Sequence, residues 1–173
     1  MKKHYIILCA ALLALSACGV NGKKGSQDST AAAGVDTNST KIADTALVAE
    51  MHIKENIKAG EPVELKFIVY NRTDSTRKFC KWHTPFEPLM SKYLEIKNEQ
   101  GVEVDYKGPM AKRMMPPPAD SYIAVNVKDS LAVTADLLKA YDIKTPAKYT
   151  VTYVGSNMSG LVVKQSVTFT YSK

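Results

Sequence analysis

Val63-Glu64-Leu65-Lys66-Phe67-Ile68-Val69-Tyr70 is the stretch whose reading decides the fold. Val63, Leu65, Phe67 and Val69 alternate with Glu64, Lys66, Ile68 and Tyr70. Successive side chains of an extended chain point to opposite faces, so this period of two places an apolar row on one side and a mostly polar row on the other. An amphipathic helix needs apolar residues at spacings of three and four, which this stretch lacks. It predicts a half-buried β-strand.

The same alternation extends in both directions. Upstream of the turn Ala59-Gly60-Glu61-Pro62, Leu47, Ala49, Met51 and Ile53 face one way and Val48, Glu50, His52 and Lys54 the other. Downstream, Asn71-Arg72-Thr73-Asp74-Ser75-Thr76 is a turn cluster, and Arg77 to Trp82 reads as a third strand. Tyr93 to Lys97 and Val102 to Tyr106 flank the hairpin loop Asn98-Glu99-Gln100-Gly101. Ser121 to Val127 and Leu131 to Leu137 follow, separated by Lys128-Asp129-Ser130. Lys148 to Val154 and Leu161 to Tyr171 lie either side of Gly155-Ser156-Asn157-Met158-Ser159-Gly160. Leu137-Leu138-Lys139-Ala140-Tyr141 reads as one short helical turn. Short strands spaced by turns predict an all-β fold, an immunoglobulin-like antiparallel β-sandwich of about 7–9 strands, over residues 44–173. A domain of that length buries about 70% of its unfolded surface. Tyr149, shortly after Pro146 and at the start of a strand, suits either a tyrosine corner or simple packing on a sheet face.

The other end of the chain supplies an address. Met1-Lys2-Lys3-His4 is basic, and Tyr5 to Ala14 is an apolar run too short for a membrane-spanning helix, which needs about 20 residues. That combination is a signal peptide, residues 1–17. Leu15-Ser16-Ala17-Cys18-Gly19 resembles the bacterial lipobox, in which the Cys thiol is acylated and the chain is cut before it. An ordinary signal peptide with a chance cysteine explains the agreement of charge, apolar run and position less well. The resemblance implies that Cys18 carries the lipid and anchors the chain to a membrane, since each buried CH₂ contributes about 0.8 kcal/mol. Gly19 rather than Asp after the cysteine implies, by Gram-negative sorting rules, the outer membrane, with the domain facing the periplasm. Residues 18–43 are rich in Gly, Ser, Thr, Ala and Asn and read as a flexible tether spanning roughly 25–30 Å.

Removing residues 1–17 takes away two lysines and no acid, so the net charge falls from +6 to +4. That is mild, and no basic stripe interleaved with aromatics is present, which argues against a nucleic-acid partner.

Cys80 to Pro118 departs from the strand pattern. It holds the single Trp, Trp82, and six of the eight prolines. With Cys9 removed and Cys18 acylated, Cys80 is the one remaining thiol and can form no disulfide within the chain. Trp82 lies two residues on, so both side chains are expected on the core side of a strand. Cys80, His83 and Met110 are soft donors that would suit copper. A zinc site ordinarily takes four ligands, and the mature chain offers one Cys and two His. Cys80 and His83, three apart on a strand, point to opposite faces, which does not suit a Cys–His nucleophile pair. No His-Glu-x-x-His, Gly-x-Ser-x-Gly or phosphate loop occurs. No catalytic residues and no cofactor are therefore expected. Pro116-Pro117-Pro118 lacks three successive donors and belongs at an edge. Lys112 and Arg113 just before it read as either a solvated loop or a cationic tip offered to a partner.

The run Trp82-x-Thr84-Pro85-Phe86-Glu87, then Leu94-Glu95-Ile96 with Gly101, then Tyr106-x-Gly108-Pro109-x-x-Lys112-Arg113 resembles a known pattern. So does Asp136-Leu137-x-x-Ala140-Tyr141-Asp142 followed by Tyr149-x-Val151-x-Tyr153. Together, over residues 46–155, they resemble the β-sandwich propeptide-like region of the deuterolysin family of lysine-specific metalloendopeptidases. The zinc domain that follows in those enzymes is absent from this sequence, so the resemblance implies binding or inhibiting a peptidase rather than proteolysis. Tyr106, Trp82, Lys112 and Arg113 become the candidate binding residues. The first functional expectation is a membrane-anchored protein-binding module. The alternative is a periplasmic redox or copper-binding protein built on Cys80, His83 and the nearby methionines.

Overall fold

The computed structural model describes residues 47–173. The leader, Cys18, the tether and residues 44–46 therefore lie outside the described residues. Ten strands run in chain order: β1 Val48–Ile53, β2 Asn56–Lys58, β3 Glu64–Tyr70, β4 Arg77–Cys80, β5 Leu94–Asn98, β6 Tyr122–Val125, β7 Ser130–Asp136, β8 Ala147–Tyr153, β9 Val162–Val163 and β10 Val167–Ser172. Turns of 3₁₀ helix cover Ala119–Ser121 and Leu137–Lys139, and one α-helical turn, α1, covers Ser156–Ser159.

The alternation that predicts β3 is the alternation that fills the core. Val63, Leu65, Phe67 and Val69 are fully buried, while Glu64 and Lys66 are exposed. On β1, Ala49 and Met51 are buried beside them, in register with Val69 and Phe67. Leu94, Ile96, Tyr149, Val151 and Phe169 come from the other sheet. Each fully buried large apolar side chain contributes about 1.5–3 kcal/mol. Phe67 meets Tyr153 of β8 across the interior, ring centroids 5.4 Å apart.

Two four-stranded sheets result, ordered β7-β3-β1-β9 and β2-β10-β8-β5, with a two-stranded pair β4-β6. The chain is an immunoglobulin-like β-sandwich, and its connections show why. β1 lies antiparallel to β3 in one sheet, and then the chain crosses at Lys54 and Glu55. β2 runs parallel to β10 in the other sheet. A first strand divided between the sheets lets one segment close both. The end of the chain divides likewise. The single strand expected over Leu161–Tyr171 is two pieces, β9 parallel to β1 and β10 antiparallel to β8. The exposed Lys164-Gln165-Ser166 separates them. These two divisions add two strands to the nine stretches that alternate in the sequence, and the loss of one of those stretches leaves ten among the described residues. Val102–Tyr106, expected as a strand, makes only the isolated bridges Lys97↔Glu103 and Tyr106↔Tyr141. The third expected strand stops at Cys80 rather than Trp82.

The pair β4-β6 continues the ribbon β3-β7. Tyr70 faces Ser130, and beyond a break Arg77 faces Val125. Asn71 joins the two halves. Its backbone N–H donates to the Asp129 carbonyl, and its Nδ2 reaches the carbonyls of Ser75, Val125 and Asn126 at 2.9–3.0 Å. Its Oδ1 accepts from the Thr73 hydroxyl and backbone N–H. The buried side chain thus takes up backbone groups that the broken ladder leaves unpaired.

Tyr149 forms the corner rather than packing alone. Its hydroxyl donates to the Thr145 carbonyl at 2.7 Å, while its ring stacks on Phe169.

Candidate functional site

Cys80 ends β4 and is 2% exposed. Trp82 follows in a turn, 7% exposed. His83 has φ 58°, in the left-handed region that a residue with a Cβ enters at a cost. The surroundings fix it there. The Tyr153 hydroxyl bonds the His83 carbonyl at 2.9 Å and the Ser159 hydroxyl at 2.7 Å. The Leu161 N–H donates in turn to Ser159 Oγ. Burial, with the charge of Arg113 nearby, holds the His83 imidazole below its ordinary pKa.

Thr84 closes the turn. Its hydroxyl donates to the Lys81 carbonyl at 2.6 Å and accepts from the Phe86 N–H at 3.2 Å. Phe86 is thereby set edge-on to Phe79 and Phe67. The next residue, Glu87, accepts from Arg113 Nη2 at 2.5 Å. The Arg113 guanidinium also lies over the Trp82 ring, 4.8 Å from its centroid.

The segment from Tyr106 onward is tied down at several points. The Tyr106 ring meets Tyr141 edge-on, and its hydroxyl is shared between the carbonyls of Leu89 and Pro109, each at 2.9 Å. Lys107 N–H donates to the Ala140 carbonyl, and Ala111 N–H to that of Met90. Gly108 is required by space: a Cβ there would lie 2.5 Å from the Tyr106 hydroxyl oxygen and 2.9 Å from the Ala140 Cβ.

These contacts change the reading of the candidate residues. Lys112 and Arg113 do not form a joint cationic tip. Arg113 turns inward to Glu87 and Trp82, its side chain 17% exposed, because a planar guanidinium can stack and bond a carboxylate at once. Lys112 stays exposed and makes no ion pair among the described residues. Trp82 and Tyr106 are supports of the loop rather than free surfaces. Cys80 and His83 do not combine with Met110 into a donor set. Cys80 is buried, Met110 is exposed, and among the described residues no three His, Cys, Asp or Glu side chains cluster as ligands.

Two features escape the sequence reading. Glu87 is the partner of Arg113, 26 positions away, and no local rule links them. Met110, Met114 and Met115 are 69%, 76% and 64% exposed, where the sequence alone suits methionines beside prolines to core or interface filler and does not say which. The signal that could have found them is Gly108-Pro109, a turn pair that ends the strand-like pattern before them. The resulting structure is a braced loop that exposes three polarizable apolar side chains and one lysine.

No protein-family model matches the chain. An uncharacterized secreted protein of Arthroderma benhamiae is 27% identical over 103 residues, covering 57% of this chain and 53% of that protein. The chain thus spans about half the length of that relative. Among solved structures, the solution structure of a CARDB domain from Pyrococcus furiosus is similar with TM-score 0.33 and 11% identity, over 73% of this chain and 94% of that one. A crystal structure of the same domain in complex with di-metal ions gives TM-score 0.32 and 10% identity, over 72% and 86% of the two chains.

Proposed function

We propose that this protein is an exported, lipid-anchored envelope protein whose immunoglobulin-like domain binds another protein through the loop Met110–Met115. The observation that carries the reading is the exposure of Met110, Met114 and Met115 on a loop braced at its base by Arg113, Glu87, Tyr106 and Gly108. Exposed apolar side chains gathered in one place mark interaction sites. Methionine adapts its shape to a partner, and bracing lowers the entropy lost on docking. Lys112 adds a charge that can meet a carboxylate on the partner.

The remaining parts of the proposal rest on sequence. Cys18 is the lipidated residue and the outer membrane the address, a reading to which a relative named as secreted lends support at the level of export. The partner class is a peptidase, held in the manner of a propeptide, as the resemblance to the deuterolysin propeptide-like region implies. A redox or copper role draws no support from the buried Cys80 and the unclustered donors.

The test places a photo-crosslinking residue at Met114 and, in a second variant, at the exposed Thr150 of β8, in cells that make the whole chain. A single peptidase adduct at 114 and none at 150 is the expected result. Equal adducts at both positions, or none at 114, would overturn the binding role. Cys18→Ala should move the protein from the membrane to the soluble fraction, and unchanged membrane retention would remove the anchor from the proposal.

A further inference from the structure

We infer that the free edge of β7 is a second binding site, which takes an extended polypeptide segment as an added strand. β7 is the outermost strand of its sheet and pairs, among the described residues, with β3 alone. The direction of its backbone groups follows from two bonds. Leu137 N–H donates to the Val63 carbonyl, and the Asp129 carbonyl accepts from Asn71 N–H. The odd-numbered residues of β7 therefore turn toward β3, and the even-numbered ones turn outward. Of these, Ser130 N–H is taken by Asp129 Oδ1, and the Asp136 carboxylate serves Val63 and Leu138 N–H. Ala132 and Thr134 each leave one N–H and one C=O directed outward with no backbone partner among the described residues.

Proteins protect such edges with lysine, proline, a bulge or a covering segment. Among the described residues β7 has none of these. Ser130-Leu131-Ala132-Val133-Thr134-Ala135 carries no charge and no proline, and its register with β3 is unbroken over seven pairs. The opposite situation exists at β5, another outer strand. There Val104 N–H donates to the Ile96 carbonyl and Asn98 N–H to that of Val102, so the segment after the hairpin covers the edge.

The occupant is specified by what lies beside the edge. Thr134, Ala135 and Asp136 line a groove with Phe86, Leu89, Glu87 and Lys139. The Glu87 carboxylate is taken by Arg113 and that of Asp136 by the Val63 and Leu138 N–H groups, which leaves the exposed Lys139 as the groove's unpaired charge among the described residues. A strand laid along β7 would place an apolar side chain against Phe86 and Leu89, and a carboxylate next to Lys139. The ligand class is therefore an extended segment bearing an apolar residue close to an acidic one, recognised through main-chain hydrogen bonds.

The experiment pans the whole chain against a displayed library of random octapeptides and repeats the selection with Ala132→Lys and Thr134→Pro. Position 134 needs no N–H for its pairing with β3, so the proline removes an outward donor alone; Ala132→Lys gives a second variant should the proline disturb folding. Enriched peptides with an apolar–acidic pattern that bind each folded variant about tenfold more weakly are expected. Met114→Glu should leave them unaffected, which separates this site from the methionine loop. Failure to enrich, or peptides that bind Ala132→Lys as well as the native chain, would overturn the site. Concentration-dependent dimers abolished by Ala132→Lys would assign the edge to a second copy instead. Amides of Ala132 and Thr134 already slow to exchange in the free monomer would assign it to the residues before Leu47. Either result overturns the proposal of a foreign segment.

Discussion

The Arg113 guanidinium lies 4.8 Å from the centroid of the Trp82 ring while its Nη2 bonds Glu87 Oε2 at 2.5 Å. One side chain thus ties the loop before Pro116 to the turn after β4. A charged hydrogen bond contributes about 1.5–3 kcal/mol and a partly desolvated cation–π contact about 1 kcal/mol, the two not being additive. Arg113→Ala should lower the unfolding free energy by about 2–3 kcal/mol in urea. Arg113→Lys keeps the charge but loses the planar stack, and should fall between. Lys112→Glu should melt with the native chain, because Lys112 is exposed and unpaired among the described residues. Equal melting of Arg113→Ala and the native protein would mean that the brace is not structural.

Gly108→Ala tests the brace from its other side. A Cβ would meet the Tyr106 hydroxyl oxygen at 2.5 Å and the Ala140 Cβ at 2.9 Å, so the ring must move and release the carbonyls of Leu89 and Pro109. A cost of about 1–3 kcal/mol is expected, as for other overpacked sites. Faster amide exchange should appear at Ala111, whose N–H reaches Met90. Unchanged exchange with unchanged stability would show that the loop does not depend on this contact.

Asn71→Ala should be among the most damaging polar substitutions in the domain. It removes the donor to Ser75, Val125 and Asn126 and the acceptor for Thr73, all in a buried place. Several backbone groups lose their partner together, at about 1–3 kcal/mol for each that stays dry. A denaturant midpoint within error of the native value would show that the break between the β3-β7 and β4-β6 ladders is held by other means.

The contrast between Phe67 and Asn71 shows where sequence is legible. Phe67 belongs to a row with a period of two, and burial of one face imposes that period on the residues themselves. Asn71 sits in a run that reads correctly as a turn. Its partners Val125 and Asn126, however, lie 54 and 55 positions away and leave no local trace. The site behaves the same way. Arg113 was visible as a charge but not as half of a pair with Glu87, since their meeting depends on the fold. Leu161–Tyr171 was readable as extended chain. Its division between two sheets follows from Lys164-Gln165-Ser166 only once β1 and β8 are both in place.

Alkaline pH should unfold the domain through its buried tyrosines. Burial is the main cause that pushes the Tyr153 hydroxyl up to about 12, and the same cause raises Tyr93 and Tyr141 further. An unfolded tyrosine ionises near pH 10. Above about pH 10 the unfolded chain has released protons that the folded chain retains, so stability falls as pH rises toward the folded value. Below about pH 9 these groups are neutral in both states and contribute no slope. For Tyr153 alone the loss is on the order of 2–3 kcal/mol by about pH 12. Urea midpoints should decline over this range while phenolate absorbance rises. Tyr93→Phe separates ionisation from packing, because the Tyr93 hydroxyl is buried without a hydrogen-bond partner among the described residues. That substitution should match or exceed native stability near neutral pH and flatten the alkaline decline. A midpoint independent of pH up to about 12 would remove the alkaline weakness, and a decline as steep in Tyr93→Phe as in the native chain would place it outside the Tyr93 ring.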